Sequence, residues 1–231
     1  MDAPAEPWLL SAMRFNSASI VGLLSIVSMA AALPAAAQMS PGEARAHADA
    51  VIGRAGAGDW FVNITVSDTP VVRHTPSGMT CEFVGQDDRD VIRLYGSPSA
   101  AGEDVSCATW IGRTFVTVFA TRYPFEATEQ QAFDSAYSQI EQNWPHARAV
   151  ERPFEILTLP GQTAPTMAVF EVDLDGSPSQ SILMVRQIGD WSFKARATGP
   201  DENDVAIEFG TMQFATALPG GWDVLQAGPR D

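Results

Sequence analysis

Two cysteines, Cys81 and Cys107, are the only ones in the 231 residues, and each lies in a run with strand periodicity. Met79, Cys81 and Phe83 fall on one side of an alternating segment, and Thr80 and Glu82 on the other. Cys107 shares a side with Val105 in the run Val105–Trp110. Both thiols are therefore expected to point into a core. A Cys81–Cys107 bond would close a loop of about 26 residues, for which loop-closure entropy gives roughly 3–4 kcal/mol of stabilisation. The alternative is a pair of reduced, buried thiols. The spacing is far from Cys-x-x-Cys, which argues against a redox-active pair or a zinc site.

The N-terminus bears on which alternative holds. Ile20–Ala32 is an apolar run broken only by small residues, and Leu33-Pro34-Ala35-Ala36-Ala37 supplies an Ala-x-Ala cleavage site before Gln38. The run is shorter than the roughly 20 residues a membrane span needs, so it reads as a cleavable export signal covering residues 1–37. Asp2 and Glu6 are acidic where such a signal should be basic. Met13-Arg14 makes a better beginning, and translation is expected to start at Met13. The address is periplasmic or secreted, where disulfides form. Residue 38 is not a cysteine, so no lipid anchor is expected, and no second long apolar segment follows.

Residues 38–231 are expected to form one α+β domain, a mostly antiparallel β-sheet packed by about three helices. Ser40-Pro41-Gly42-Glu43 combines a serine cap, a proline at the first helical position and a glutamate at the third. It opens a helix over Pro41–Ala55, with His47 placed near its surface. Thr128 and Gln131 form a second capping box, for a helix to Trp144 with Phe133, Ala136, Tyr137, Ile140 and Trp144 on its core side. Glu202–Ala215 is the third helix, with Val205, Phe209, Met212 and Ala215 as its stripe, followed by a loose tail. Strands are expected over Trp60–Val66, Val71–Thr75, Met79–Val84, Val91–Tyr95, Val105–Trp110, Thr114–Thr121, Ala149–Glu151, Phe154–Leu159, Thr166–Leu174, Ser181–Ile188 and Trp191–Thr198. Phe115, Thr117 and Phe119 alternate with Val116, Val118 and Ala120, which suits a strand covered on both faces.

Charge and motifs exclude more than they assign. Losing Arg14, Asp2 and Glu6 with the leader moves the formal net charge from −14 to −13. Such a chain repels nucleic acid and anionic lipid. There is no P-loop, G-x-G-x-x-G, G-x-S-x-G or H-E-x-x-H, and His47, His74 and His146 are scattered. No catalytic residue, metal ligand or cofactor is assigned. Glu171–Gly176 looks like the front of a calcium loop, but its twelfth position is Ile182 and Pro178 lies inside, so a strand ending in an Asp-Gly turn is expected. Lys194, the only lysine, and Arg196 share the polar side of the Trp191 strand with Ser192 and Thr198. Two adjacent cations in so acidic a chain could bind an anionic group; the plainer alternative is a solvated face balanced by nearby carboxylates.

Three segments together look familiar. They are His74-Thr75-Pro76-Ser77-Gly78 before Cys81, Asp104-Val105-Ser106-Cys107 before the Thr114–Arg122 strand, and Gly189–Thr198 before the last helix. In these the chain resembles a family of exported alphaproteobacterial proteins, a resemblance that implies no reaction, cofactor or site residue. The order of helix, antiparallel meander and C-terminal helix also resembles the PsbP-like α/β/α sandwich, in layout alone. Three function classes fit this reading. The first is a non-enzymatic exported accessory or binding protein, whose partner is a protein or small molecule. The second is a hydrolase with a site assembled from distant residues. The third is a small-ligand carrier with an apolar cavity of several hundred Å³. Mature protein recovered from cells should begin at Gln38 by N-terminal sequencing, and recovery of peptides from Ala3–Leu10 would contradict the Met13 start.

Overall fold

Ser40 caps the first helix, α1 (Pro41–Arg54), as its sequence predicts: the serine hydroxyl accepts from the Glu43 N–H at 3.3 Å, and the Glu43 carboxylate accepts from the Ser40 N–H at 2.7 Å. The computed structural model describes residues 39–97, 100–151, 156–174, 176–201 and 204–228. The expected export signal and the Met13 start lie outside them. Because Glu43 is committed to the cap, it does not hold His47 at the surface. The imidazole is instead buried, with Nε2 2.9 Å from Asp90 Oδ2. Asp90 also accepts from the Gly85 and Gln86 N–H groups and from Thr109 Oγ1, at 2.7, 2.8 and 2.5 Å. One carboxylate thus ties α1, the charged loop and the main sheet together.

A small antiparallel sheet follows, in the order β1 (Phe61–Asn63), β2 (Val71–His74), β3 (Thr80–Glu82). Its first strand is shorter than the expected Trp60–Val66. Phe61 is buried while Val62 and Val66 face solvent. The Thr65 hydroxyl accepts from the Val71 N–H at 2.9 Å and turns the chain before a longer ladder can form.

The main sheet has seven strands, all antiparallel: β4 (Val91–Leu94), β5 (Asp104–Ile111), β6 (Thr114–Thr121), β10 (Trp191–Pro200), β9 (Ser177–Ile188), β8 (Thr166–Leu174) and β7 (Arg148–Val150), in that spatial order. Two meanders, β4–β6 and β7–β10, therefore meet at the β6–β10 pair. Cys81 and Cys107 are disulfide-bonded with Cα atoms 6.1 Å apart. The bond joins β3 to β5, so it fastens the small sheet onto the large one. The Asp-Gly turn expected after Leu174 is as tight as its residues allow: Leu174 pairs with Ser177, and Gly176 sits at φ +82°. β9 consequently starts at Ser177, four residues earlier than expected. The strand expected over Phe154–Leu159 is absent across its described residues 156–159; its first two residues lie outside them.

One face of the main sheet is fully covered. Val116, Val118, Ala120, Phe193, Ala195 and Ala197 pack there with Cys81, Cys107 and α3 (Val205–Ala217). The helix buries Ala206, Ile207, Gly210 and Phe214, whereas Met212 of the expected stripe is exposed. Close approach explains the rotation: a Cβ at Gly210 would lie 2.7 Å from Ile182 Cγ2 and 2.9 Å from Ala197 Cβ. Small residues, not large ones, mark the contact. The expected loose tail instead forms α4 (Gly221–Ala227), anchored by buried Trp222. On the opposite face, α2 (Glu129–Asn143) covers only β8 and β9, through Ala132, Ala136, Ile140, Phe170, Leu183 and Val185. The second face of β6 is covered unevenly: Thr117 is buried while Phe115 and Phe119 are half-buried, and among the described residues α2 packs chiefly on β8 and β9.

Cys81→Ala with Cys107→Ala should lower the unfolding free energy by about 3–4 kcal/mol in a urea titration of the oxidised protein. A loss below about 1 kcal/mol would show that the two sheets are held together without the bond.

Candidate functional site

The candidate site lies where the cover of α2 ends. Across the β10 ladders, Lys194 is opposite Phe119 on β6 and Val185 on β9, and Arg196 is opposite Thr117 and Leu183. The β9 neighbours are under α2; the β6 neighbours belong to the open half of the face. The two cations stand on that border. Lys194 Nζ lies 4.4 Å from the centroid of the Phe119 ring, and Arg196 Cζ lies 5.2 Å from that of Trp144, the residue that ends α2. Phe119 in turn stacks on Tyr95, with centroids 6.4 Å apart. The Tyr95 hydroxyl is fixed at 3.0 Å from Ser106 Oγ. A recess of about 90 Å³ opens between helix and sheet, lined by Phe119, Ala136, Ile140 and Leu183, the two cations, and the amides of Gln139 and Asn143.

Among the described residues no carboxylate is in contact with either cation; Asp104 acts on Lys194 only from farther off. Among the described residues, neither Lys194 nor Arg196 makes a hydrogen bond or an ion pair. Arginines elsewhere do: Arg73 with Asp223 at 2.6 Å, Arg186 with Glu129 at 3.1 Å, and Arg122 and Arg148 with Glu103 and Glu171. Burial pulls the Lys194 ammonium below its ordinary range; Asp104 draws it partly back, and Arg196 pushes it further down. Burial lowers Arg196 as well, opposed by Tyr95. Ring contacts contribute about 0.5–2 kcal/mol each. They do not replace an anion, because a cation withdrawn from water costs several kcal/mol.

Glu129, at the start of α2, holds the helix in register with the sheet. Its carboxylate accepts from Thr166 Oγ1 at 2.7 Å, Arg186 Nη1 at 3.1 Å and the Gln187 N–H at 2.9 Å. Those donors and Arg186 outweigh the upward pull of its burial, so its carboxyl is held below the usual range. The helix end carrying Trp144 lies at the opposite end from this anchor.

The other polar assemblies lack the geometry of a reactive centre. Thr109 and His47 both bond to Asp90, so hydroxyl and imidazole are not paired with each other, and Asp90 is buried. His74 Nδ1 and Ser77 Oγ are 2.8 Å apart, but His74 is fully buried between Phe61 and Trp191. The Ser77 hydroxyl also accepts from the Met79 N–H, so the pair locks the turn before Cys81. His146 is exposed just after α2. Among the described residues no three His, Cys, Asp or Glu side chains converge on a metal position. In the calcium-like segment, Asp173 Oδ1 accepts from the Gly176 N–H at 2.6 Å, which is a turn; Asp175 lies outside the described residues.

A larger groove of about 690 Å³ lies by the β9–β10 turn, lined by Glu103, Arg122, Glu126 and Asp190 with Tyr123 and Phe125. Its charges are either paired, as Glu103 is with Arg122, or open to solvent. It therefore holds no unmet electrostatic demand, and its polar lining does not suit an apolar carrier. No protein family matches the chain, and no curated protein matches it significantly.

Sequence reasoning located the two cations but not their surroundings. Phe119 read as one side of a doubly covered strand, and Trp144 as a core residue of α2. The signal in reach was the pair itself: Lys194 and Arg196 on one side of a central strand fit a fully covered sheet poorly.

Burial holds the His74 imidazole near pKa 4, against 6.5 when exposed. The native state refuses a proton that the unfolded chain accepts. This contribution to stability is thus full above about pH 6.5 and lost as pH falls toward 4, a total of roughly 3 kcal/mol. In urea titrations the wild-type protein should lose about that much more than His74→Gln between pH 7 and pH 4. An unchanged difference between the two proteins would place the imidazole in solvent or beside an anion.

Proposed function

We propose that the chain is an exported, non-enzymatic binding protein, and that the open half of its main sheet takes an anionic ligand at Lys194 and Arg196. The observation that carries this reading is the pair of adjacent, partly buried cations with no carboxylate in contact among the described residues, beside a recess of about 90 Å³. In a chain with twice as many acidic as basic residues, 28 against 14, paired cations are the cheaper arrangement, and Arg73, Arg122, Arg148 and Arg186 adopt it. Leaving two unpaired on a central strand costs stability, as binding sites commonly do. The disulfide fits an oxidising compartment. Among the described residues no helix is long and apolar enough to cross a membrane.

The test is a thermal-shift comparison of the mature, oxidised protein with Lys194→Met/Arg196→Met. Benzoate, octanoate, inorganic phosphate and phenyl phosphate are the probes. At least one probe should raise the wild-type melting temperature by about 2 °C or more. The double variant should melt no lower than wild type and lose that shift. No shift with any probe, or equal shifts in both proteins, would overturn the reading.

A further inference from the structure

We infer that the ligand of this face is a hydrophobic monocarboxylate whose head enters the recess at Arg196 and Lys194 and whose apolar body lies on the Phe119–Tyr95 rings. The inference rests on the binding reading above and narrows it.

The charge of the head follows from what surrounds the cations. Gln139, Ile140 and Asn143 belong to the last turn of α2, and Trp144 ends it. A helix presents its partial negative end there, equivalent to about half an elementary charge, with carbonyls that have no partner in the helix. Phosphate groups favour the other end, where N–H groups point outward. Two cations facing a helix C-terminus leave a deficit closer to one negative charge than to two. The overall charge of the chain penalises a dianion further during approach.

The shape of the head follows from the donors. Arg196 offers a planar fork, which matches the two oxygens of a carboxylate. Lys194 adds a point charge one strand repeat away, and the Gln139 and Asn143 amides line the same recess. The volume of about 90 Å³ is room for a carboxylate and a short stem, not for a whole ligand. The remainder must leave the recess along the open face.

That face carries rings where the ligand would leave, with the Asp104 carboxylate opposite Tyr95 at its border. Phe119 and Tyr95 lie nearly parallel, 25° apart in plane, and are half-buried. Further along the same face Trp110 and Phe115 form a second pair, 5.1 Å apart. Aromatic floors of this kind gain from a flat ring by offset stacking and from an alkyl chain by burial. Both bodies carry the same head, and the experiment separates them.

Isothermal titration of the mature, oxidised protein with 1-naphthoate, octanoate, 1-naphthyl phosphate and 1-naphthalenemethanol is the test. At pH 7.5 naphthoate or octanoate should bind at least about tenfold tighter than naphthyl phosphate, and the alcohol should bind weakest. The tighter of the two acids identifies a ring or a chain as the body. Arg196→Lys keeps the charge and removes the fork; it should weaken the better acid by about tenfold while leaving the melting temperature within about 2 °C of wild type. Should Arg196→Lys melt lower, Arg196→Met gives the same comparison without a second buried ammonium. Naphthyl phosphate binding as tightly as naphthoate would overturn the monocarboxylate inference and leave the anion-binding reading intact. The alcohol binding as tightly as the acids would overturn both, as would no binding by any probe.

Discussion

The β6–β10 ladder is the constraint on which the rest depends. It joins two meanders that are otherwise separate along the sheet, through register pairs that run from Ser192↔Thr121 to Thr198↔Phe115. Strand side chains alternate, so this one ladder decides which residues of β10 enter the core. Phe193, Ala195 and Ala197 must lie under α3, because Gly210 of that helix sits directly on Ala197 and Ile182. Lys194 and Arg196 then have no choice but the other face. A slip of one residue would place both cations against α3.

What makes that outcome tolerable is the incomplete reach of α2. The helix is fixed at its first turn by Glu129 and covers β8 and β9. Its last turn ends beside β10. Two like charges at a strand spacing of about 7 Å repel by about 2 kcal/mol at an effective dielectric constant of 20. The rings of Phe119 and Trp144 and the partial negative charge of the helix end offset an amount of the same order. The desolvation cost remains unmet. The site is therefore held in place by the core on the opposite face and by the disulfide and Asp90, which fix β5 from the other side.

Much of this was legible in the residues because local signals and the tertiary structure agree. Both capping boxes, the cysteine pairing and the tight turn after Leu174 are decided within a few residues of each other or by the alternation of a single strand. The failures share a cause: they depend on what lies across the gap. The buried side of α3 is set by small residues that permit close approach, so its larger Met212 misled. His47 is buried because a carboxylate 43 positions later wraps over it. Phe115 and Phe119 read as core because an apolar alternation does not say whether a helix arrives to cover it. At the site, residue type identified the cations. Only the register revealed their aromatic neighbours and, among the described residues, no carboxylate in contact with either.

The central claim is that Lys194 is a partly desolvated cation with no anion in contact among the described residues, and it can be measured directly because the chain has no other lysine. Protein labelled with ¹³C at lysine Cε gives one signal to follow against pH. The account predicts a midpoint below the ordinary lysine value of about 10.4, moving upward in Arg196→Gln as the neighbouring charge is removed. A midpoint at or above that value, unmoved by Arg196→Gln, would mean that the ammonium is already paired or fully hydrated.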